Sequence, residues 1–195
     1  MEAFALEISD DKREIARHLR TAFDGRCEVY AFYDEDESTS VDIVICDESP
    51  AEGVQATGTV GLSDYDFGIR AHDLPLRVEL VMAGRPGQLS IPNVLATCAF
   101  AIVNEGYKIE PGLILPGVIS MYNPGSRTRH GILLAPASWL VSNLRFSDKI
   151  VTFLQVVPIS DKERQLAEDR GSITLEKALE REEADIYDFD RLTVI

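Results

Sequence analysis

Asp64, Asp66 and His72 are the residues whose types and spacing could bind a metal ion. Two carboxylates separated by one residue, with an imidazole a few positions further on, can coordinate a hard divalent cation. Such an ion could activate a water molecule, which makes a metal-dependent hydrolase one candidate function. Acidic turn residues give the same pattern without binding any ion. The sequence therefore leaves hydrolysis as an alternative that these three residues would carry.

The sequence contains no motif for acyl transfer or for nucleotide-dependent catalysis. A G-x-S-x-G elbow, a C-x-x-C pair, a G-x-G-x-x-G loop and a Gly-Lys-Ser/Thr cradle are all absent. Cys27, Cys46 and Cys98 are odd in number, widely spaced and set among apolar neighbours. This pattern favours buried free thiols over a disulfide or a reactive nucleophile. We therefore expect no catalytic cysteine.

The net charge of −14 is the most unusual bulk property of the 195-residue chain. A surface this acidic repels phosphate backbones, so we do not expect direct nucleic-acid binding. A basic protein partner fits the charge better, although acidity can also serve solubility alone. No apolar run approaches the ~20 residues of a membrane span, and no secretory signal is visible. We therefore expect a cytoplasmic protein that binds no membrane.

Apolar periodicity and turn residues predict both helices and strands. Ile15, Leu19 and Phe23 lie at four-residue spacing, which predicts an amphipathic helix. Ser160 and Glu163 have the spacing of a capping box, so a helix should follow the last strand directly. Predicted helices cover residues 11–23, 90–106, 160–171 and 173–182, and predicted strands cover 27–33, 41–46, 54–62, 76–82 and 150–159. This order, without regular βαβ alternation, predicts an α+β fold with a mixed, mostly antiparallel twisted sheet packed with helices.

Several stretches, taken in chain order, resemble the suppressor-of-fused family. They are the turn Gly61-Leu-Ser-Asp64, the strand RVELVM, the helix IPNVLATCAFAIVNEG, the short strand HGILLAP, the strand-to-helix segment IVTFLQVVPISDKE, the helix GSITLEKAL and the closing DFDR. Each piece is short, but the ordered set runs from Gly61 to Arg191 and covers most of the chain. The chain is only as long as the N-terminal domain of the animal proteins.

The resemblance implies a single mixed α/β domain over residues 1–195 that binds another protein and has no enzymatic activity and no cofactor. Animal members bind a short extended segment of a zinc-finger transcription factor, and bacterial relatives are thought to include immunity proteins that neutralise toxins. We therefore predict a non-enzymatic immunity protein that binds and neutralises a basic toxin. A self-associating adaptor domain is a further alternative beside the metal-dependent hydrolase.

The predicted contact residues lie in two acidic turns and at the single tryptophan. Edge strands beside such turns can accept an added strand from a partner, and an exposed tryptophan is a frequent hot spot of interfaces. The candidates for partner binding are Tyr33, Asp34, Glu35, Asp36, Glu37, Asp64, Tyr65, Asp66 and Trp139.

Overall fold

The computed structural model describes residues 8–87, 90–136 and 140–195. These residues form four α-helices and nine β-strands. The helices are α1 (Asp10–Phe23), α2 (Ile91–Glu105), α3 (Asp161–Arg170) and α4 (Ser172–Arg181). The strands are β1 (Arg26–Tyr33), β2 (Ser40–Asp47), β3 (Gln55–Val60), β4 (Arg70–Ala71), β5 (Leu74–Gly84), β6 (Ile114–Leu115), β7 (His130–Pro136), β8 (Leu144–Arg145) and β9 (Ile150–Ile159).

The strands form one mixed sheet in the order β1-β2-β3-β5-β9-β7-β6, and β4 and β8 pair with β5 and β9. Only β5 and β9 run parallel, and every other pair is antiparallel. The mixed, mostly antiparallel α+β fold expected from the sequence is therefore confirmed.

Helices pack on both faces of this sheet. Successive strand residues point to opposite faces, and on β2 Ile43 belongs to the cluster under α2 while Val44 belongs to the cluster under α1. The helices α3 and α4 cover the far end of the α1 face, where Leu175 packs with Val157 and Ile159. No helix of the described ranges is long and apolar enough to span a bilayer.

The longer predicted elements agree with the structure to within a few residues. Ser160 accepts a hydrogen bond from the Glu163 N–H, and the Glu163 side chain accepts one from the Ser160 N–H, so the predicted capping box is confirmed. The third strand ends earlier than predicted, because Gly61 has a φ of +116° and the chain enters a 3₁₀ turn at Leu62–Asp64. The two-residue strands β4, β6 and β8 were not predicted, because two residues are too few to show alternation.

The prediction that all three cysteines are free thiols is wrong. Cys27 and Cys46 lie directly opposite each other on β1 and β2 and form a disulfide, with their Cα atoms 4.1 Å apart. The two cysteines are 19 residues apart in the sequence, so their pairing can be recognised only once the register of the hairpin is known. Cys98 is a free, buried cysteine on α2, and burial raises the pKa of its thiol to about 12. Cys98 is therefore uncharged and unreactive at neutral pH.

Gly84, at the end of β5, lies in close contact with the C-terminal tail. A Cβ atom there would come within 2.5 and 2.7 Å of two ring atoms of the buried Phe189. We expect Gly84→Ala to lower the free energy of unfolding by about 1 to 3 kcal/mol through overpacking. Urea unfolding would measure this loss. Gly125→Ala is the matched control, because its Cβ would meet no atom closer than 3.7 Å, and an equal loss in both variants would contradict the prediction.

Candidate partner-binding groove

A groove of about 730 Å³ lies beside α2 on its solvent-facing side. One wall is the end of β1 with the loop that follows it, and the other is the segment from Leu115 to Tyr122. The apolar floor consists of Ala96, Phe100, Ala101, Leu115 and Val118. The acidic rim consists of Asp34, Glu35, Asp36 and Glu105. The groove thus combines an apolar base with a negatively charged edge.

The composition of α2 explains why the groove exists. Its larger side chains, such as Val94, Leu95 and Ile102, are fully buried in the cluster under the helix. Its groove side carries the polar residues Asn93, Thr97 and Asn104 together with Phe100, and Ala96 and Ala101 flank them. The sequence predicted a buried central helix, and the structure shows that its groove side is only partly covered.

Asp34 fixes the acidic loop against α2. Its carboxylate accepts hydrogen bonds from the Ser38 and Thr39 N–H groups at 2.7 and 3.0 Å. It also accepts from the Ser38 hydroxyl at 2.9 Å and from the Asn104 amide of α2 at 3.1 Å. These hydrogen bonds lower the pKa of Asp34 to about 2, and the bond from the Thr39 N–H has the largest effect. Desolvation acts to raise the pKa, but its effect is smaller. Asp34 is therefore charged at every physiological pH.

Exposed apolar side chains border the groove on both sides. Tyr33 is 60% exposed and Met121 is 66% exposed, although both are large side chains. Tyr122 is held by a hydrogen bond of 2.7 Å between its hydroxyl and that of Thr97. Exposed aromatic and methionine side chains around a concave floor are typical of protein interfaces. The groove can thus bury apolar area against a partner.

The 3₁₀ turn lies next to the groove and is held by the buried Glu79 of β5. Its carboxylate accepts hydrogen bonds from the Gly61 N–H at 2.9 Å and the Ser63 N–H at 3.1 Å. Tyr65, directly after the turn, lines a small crevice together with Phe100, which also lines the groove. The turn therefore places Tyr65 beside the groove.

The candidate metal ligands are not brought together. Asp64 forms an ion pair with Lys12 at 3.1 Å, and Asp66 forms one with Arg77 at 3.1 Å. His72 lies in the turn between β4 and β5. Within residues 8–87, 90–136 and 140–195, no group of three or more His, Cys, Asp or Glu side chains could hold a metal ion. The geometry therefore gives no support to a hydrolase that uses Asp64, Asp66 and His72.

The structure brings most of the predicted contact residues to one region. Tyr33, Asp34, Glu35 and Asp36 line the groove, and Glu37 belongs to the same loop. Trp139 lies outside the described residues. Residues missed by sequence reasoning are the groove side of α2, Met121, Tyr122 and Glu79. The signal for Glu79 was present, since it is the one carboxylate inside the otherwise apolar run Val78–Ala83.

Comparisons of the sequence identify two kinds of relative. The model of the suppressor of fused protein family matches residues 37–192. The chain is 36% identical over 190 residues to a protein named immunity protein YqcF from Bacillus subtilis (strain 168), covering 96% of this chain and 99% of that protein.

Solved structures show the same fold at low sequence identity. A suppressor-of-fused homologue from Neisseria gonorrhoeae FA 1090 superposes with a TM-score of 0.69 at 14% identity, over 95% of this chain and 97% of that one. A chain of the Sufu–Fu complex gives 0.66 at 12% identity, over 94% and 92%. Drosophila Suppressor of Fused gives 0.64 at 12% identity, over 92% of this chain and 50% of that one. The chain therefore belongs to the suppressor of fused family, as the family match over residues 37–192 shows.

Proposed function

We propose that this chain is a non-enzymatic immunity protein that binds a basic partner protein and neutralises it. The observation that carries the proposal is the 36% identity to an immunity protein over nearly the full length of both chains. The acidic, apolar-floored groove supplies a surface suited to this task.

The charge of the groove favours a partner that presents lysine or arginine. Asp34, Glu35, Asp36 and Glu105 lie along one rim, and the whole chain carries a net charge of −14. Opposite charges steer two proteins together and raise the association rate at low ionic strength. A toxin with a basic active site would meet this rim first, and its occupied site could no longer bind its own target.

The apolar part of the groove would supply most of the affinity. Burial of Tyr33 and Met121 and of the floor around Phe100 removes apolar surface from water, which is favourable by roughly 25 cal/mol per Å². Hot spots of interfaces are commonly aromatic or arginine side chains that enter such desolvated pockets. The partner segment should therefore combine an apolar anchor with flanking basic residues.

A co-expression experiment tests the proposed function. The protein encoded beside this gene in its own genome is produced in a host cell with and without this chain. We expect that protein to be toxic, growth to be restored only when this chain is present, and the purified pair to form a complex at micromolar concentration or below. A toxic neighbour that this chain neither binds nor neutralises would contradict the proposal.

Charge reversal on the groove rim should weaken the complex. We expect the double variant Glu35→Lys, Asp36→Lys to raise Kd by about 10- to 100-fold, mainly through slower association at low salt. Surface plasmon resonance at two salt concentrations measures both rates. The control is Glu180→Lys, Glu183→Lys, which makes the same charge change at exposed positions of α4 and the turn after it. Equal weakening by both double variants would show that the groove rim has no special role.

A further inference from the structure

The strand β1 forms an open edge of the sheet. Among the described residues it pairs with β2 alone. The helices α1 and α2 pack mainly on β2, β3 and β5, and on β1 the side chains of Cys27 and Phe32 pack against the clusters under these helices while most of the strand is exposed. Natural edge strands are usually protected by charged side chains, proline or a bulge. The eight residues RCEVYAFY carry two charges, Arg26 and Glu28, but no proline, and they pair with β2 in unbroken register.

The hairpin register identifies which backbone groups of β1 face outward. The Asp34 N–H donates to the Thr39 carbonyl at 3.0 Å, which makes these residues a hydrogen-bonded pair. Hydrogen-bonded and non-hydrogen-bonded pairs alternate along an antiparallel ladder. Cys27, Val29, Ala31 and Tyr33 therefore point their N–H and C=O groups away from β2. These groups form a full set of donors and acceptors for one more strand.

The side chains of β1 also favour an added strand. Val29 is 44% exposed and Tyr30 is 51% exposed, on opposite faces of the strand. Cross-strand pairs of aromatic or β-branched side chains stabilise antiparallel strands. A neighbouring strand would thus bury apolar area on both faces.

From the charges along this edge we propose that β1 pairs antiparallel with β1 of a second copy of the chain, about a two-fold axis at Tyr30. This register places Arg26 of each copy opposite Asp34 of the other, so opposite charges meet at both ends of the ladder. The Asp34 oxygens keep their hydrogen bonds to Ser38, Thr39 and Asn104, and the attraction is therefore between charges rather than through a new hydrogen bond. Val29 and Ala31 then exchange backbone hydrogen bonds, and the two Tyr30 side chains lie side by side. Arg26 pairs with Asp47 of its own chain at 3.4 Å, but this is an exposed contact, with the Arg26 side chain 85% exposed, so the guanidinium can move to the second copy at little cost.

The neighbouring registers fit less well. A shift by two residues in one direction places Glu28 opposite Asp34, which brings two negative charges together. The same shift in the other direction places Arg26 opposite Phe32 and leaves Asp34 beyond the end of the ladder. Repulsion between two copies of charge −14 opposes association in every register. The dimer is therefore a weak one, with a single-strand interface.

Cysteine cross-linking tests this register directly. In the proposed dimer the two Tyr30 Cα atoms are about 4.5 Å apart, which suits a disulfide. We expect Tyr30→Cys to form a covalent dimer under mild oxidation, detected on a non-reducing gel and located by mass spectrometry. Glu28→Cys is the control on the same face, because the two residues would lie more than about 13 Å apart along the strands. Equal cross-linking of both variants, or none in either, would overturn the proposal.

A second variant tests the backbone pairing. Ala31→Pro removes an outward N–H and leaves the ladder with β2 intact, and proline is tolerated at such positions of edge strands. By sedimentation equilibrium we expect the wild-type chain to dimerise as concentration rises and Ala31→Pro to raise the dissociation constant by about tenfold or more. A wild-type chain that stays monomeric up to roughly millimolar concentration, or an unchanged constant in a folded Ala31→Pro variant, would overturn the proposal.

Discussion

Replacing Arg191 with methionine is expected to lower the free energy of unfolding by about 3 to 5 kcal/mol, because it leaves the buried Glu163 carboxylate without its counter-charge. Both side chains are buried. The guanidinium donates to the two carboxylate oxygens at 2.6 and 2.9 Å, and also to the Pro158 carbonyl at 2.9 Å. The loss is therefore more than one ion pair, since it also removes the hydrogen bond between the tail and the Pro158 carbonyl of β9.

The same carboxylate joins the start of α3 to the C-terminal tail. Glu163 accepts hydrogen bonds from the Ser160 N–H at the start of α3 and from the Val194 N–H in the tail. Burial acts to raise the pKa of Glu163, but the hydrogen bonds from Arg191, Ser160 and Val194 and the charge of Arg191 outweigh it and lower the pKa. The carboxylate is therefore charged at neutral pH, and its contribution is lost as the pH falls through the folded-state pKa.

Two further variants test whether the loss of stability comes from the buried charge of Glu163 rather than from the removal of an arginine as such. Arg164→Met removes an exposed ion pair with Glu168 and should cost no more than about 0.5 kcal/mol. The double variant Glu163→Gln, Arg191→Met should recover part of the stability lost in Arg191→Met, because it removes the buried charge itself. Urea unfolding at neutral pH measures all of them. Equal losses in Arg191→Met and Arg164→Met would contradict the importance of the buried pair.

Local sequence patterns were sufficient for the long elements. Ser160 and Glu163 lie three residues apart, so their capping box could be predicted from the sequence. The partner of Glu163 lies 28 residues further along, and no local pattern connects the two residues. The parallel pairing of β5 with β9 could not be predicted for the same reason, because it joins strands that are distant in the chain.

Only the charged loop of the candidate site could be predicted from the sequence. The acidic run at Asp34–Glu37 indicated a contact surface from composition alone, and its first three residues line the groove. The uncovered side of α2 was missed, although Asn93, Thr97 and Asn104 lie at helical spacing in the sequence and all three line the groove. The walls of the groove depend on tertiary packing, because the segment from Leu115 to Tyr122 is brought beside α2 only by the fold.

Glu79 should make the stability of the chain fall as the pH rises. Burial raises the pKa of this carboxyl from 4.5 to about 7, although hydrogen bonds from Thr59, Ser63 and Gly61 act against the rise. A folded-state pKa above the unfolded value means that the folded chain holds the proton more tightly between those two pH values. The resulting stability is fully present below pH 4.5 and is lost as the pH passes through about 7. At about 1.4 kcal/mol per pH unit, the loss is about 3 kcal/mol.

The variant Glu79→Gln tests this reasoning, because glutamine keeps an oxygen for the Gly61 and Ser63 N–H groups and cannot ionise. We expect urea unfolding to show a wild-type chain that loses stability between pH 5 and pH 8 and a Glu79→Gln variant that loses much less. Glu52→Gln, at an exposed position, should keep the wild-type profile. A steep profile that persists in Glu79→Gln would assign the pH dependence to another group. A flat profile in both would mean that water or relaxation of the turn solvates the Glu79 carboxylate, and the turn that positions Tyr65 would then be less rigid than its hydrogen bonds indicate.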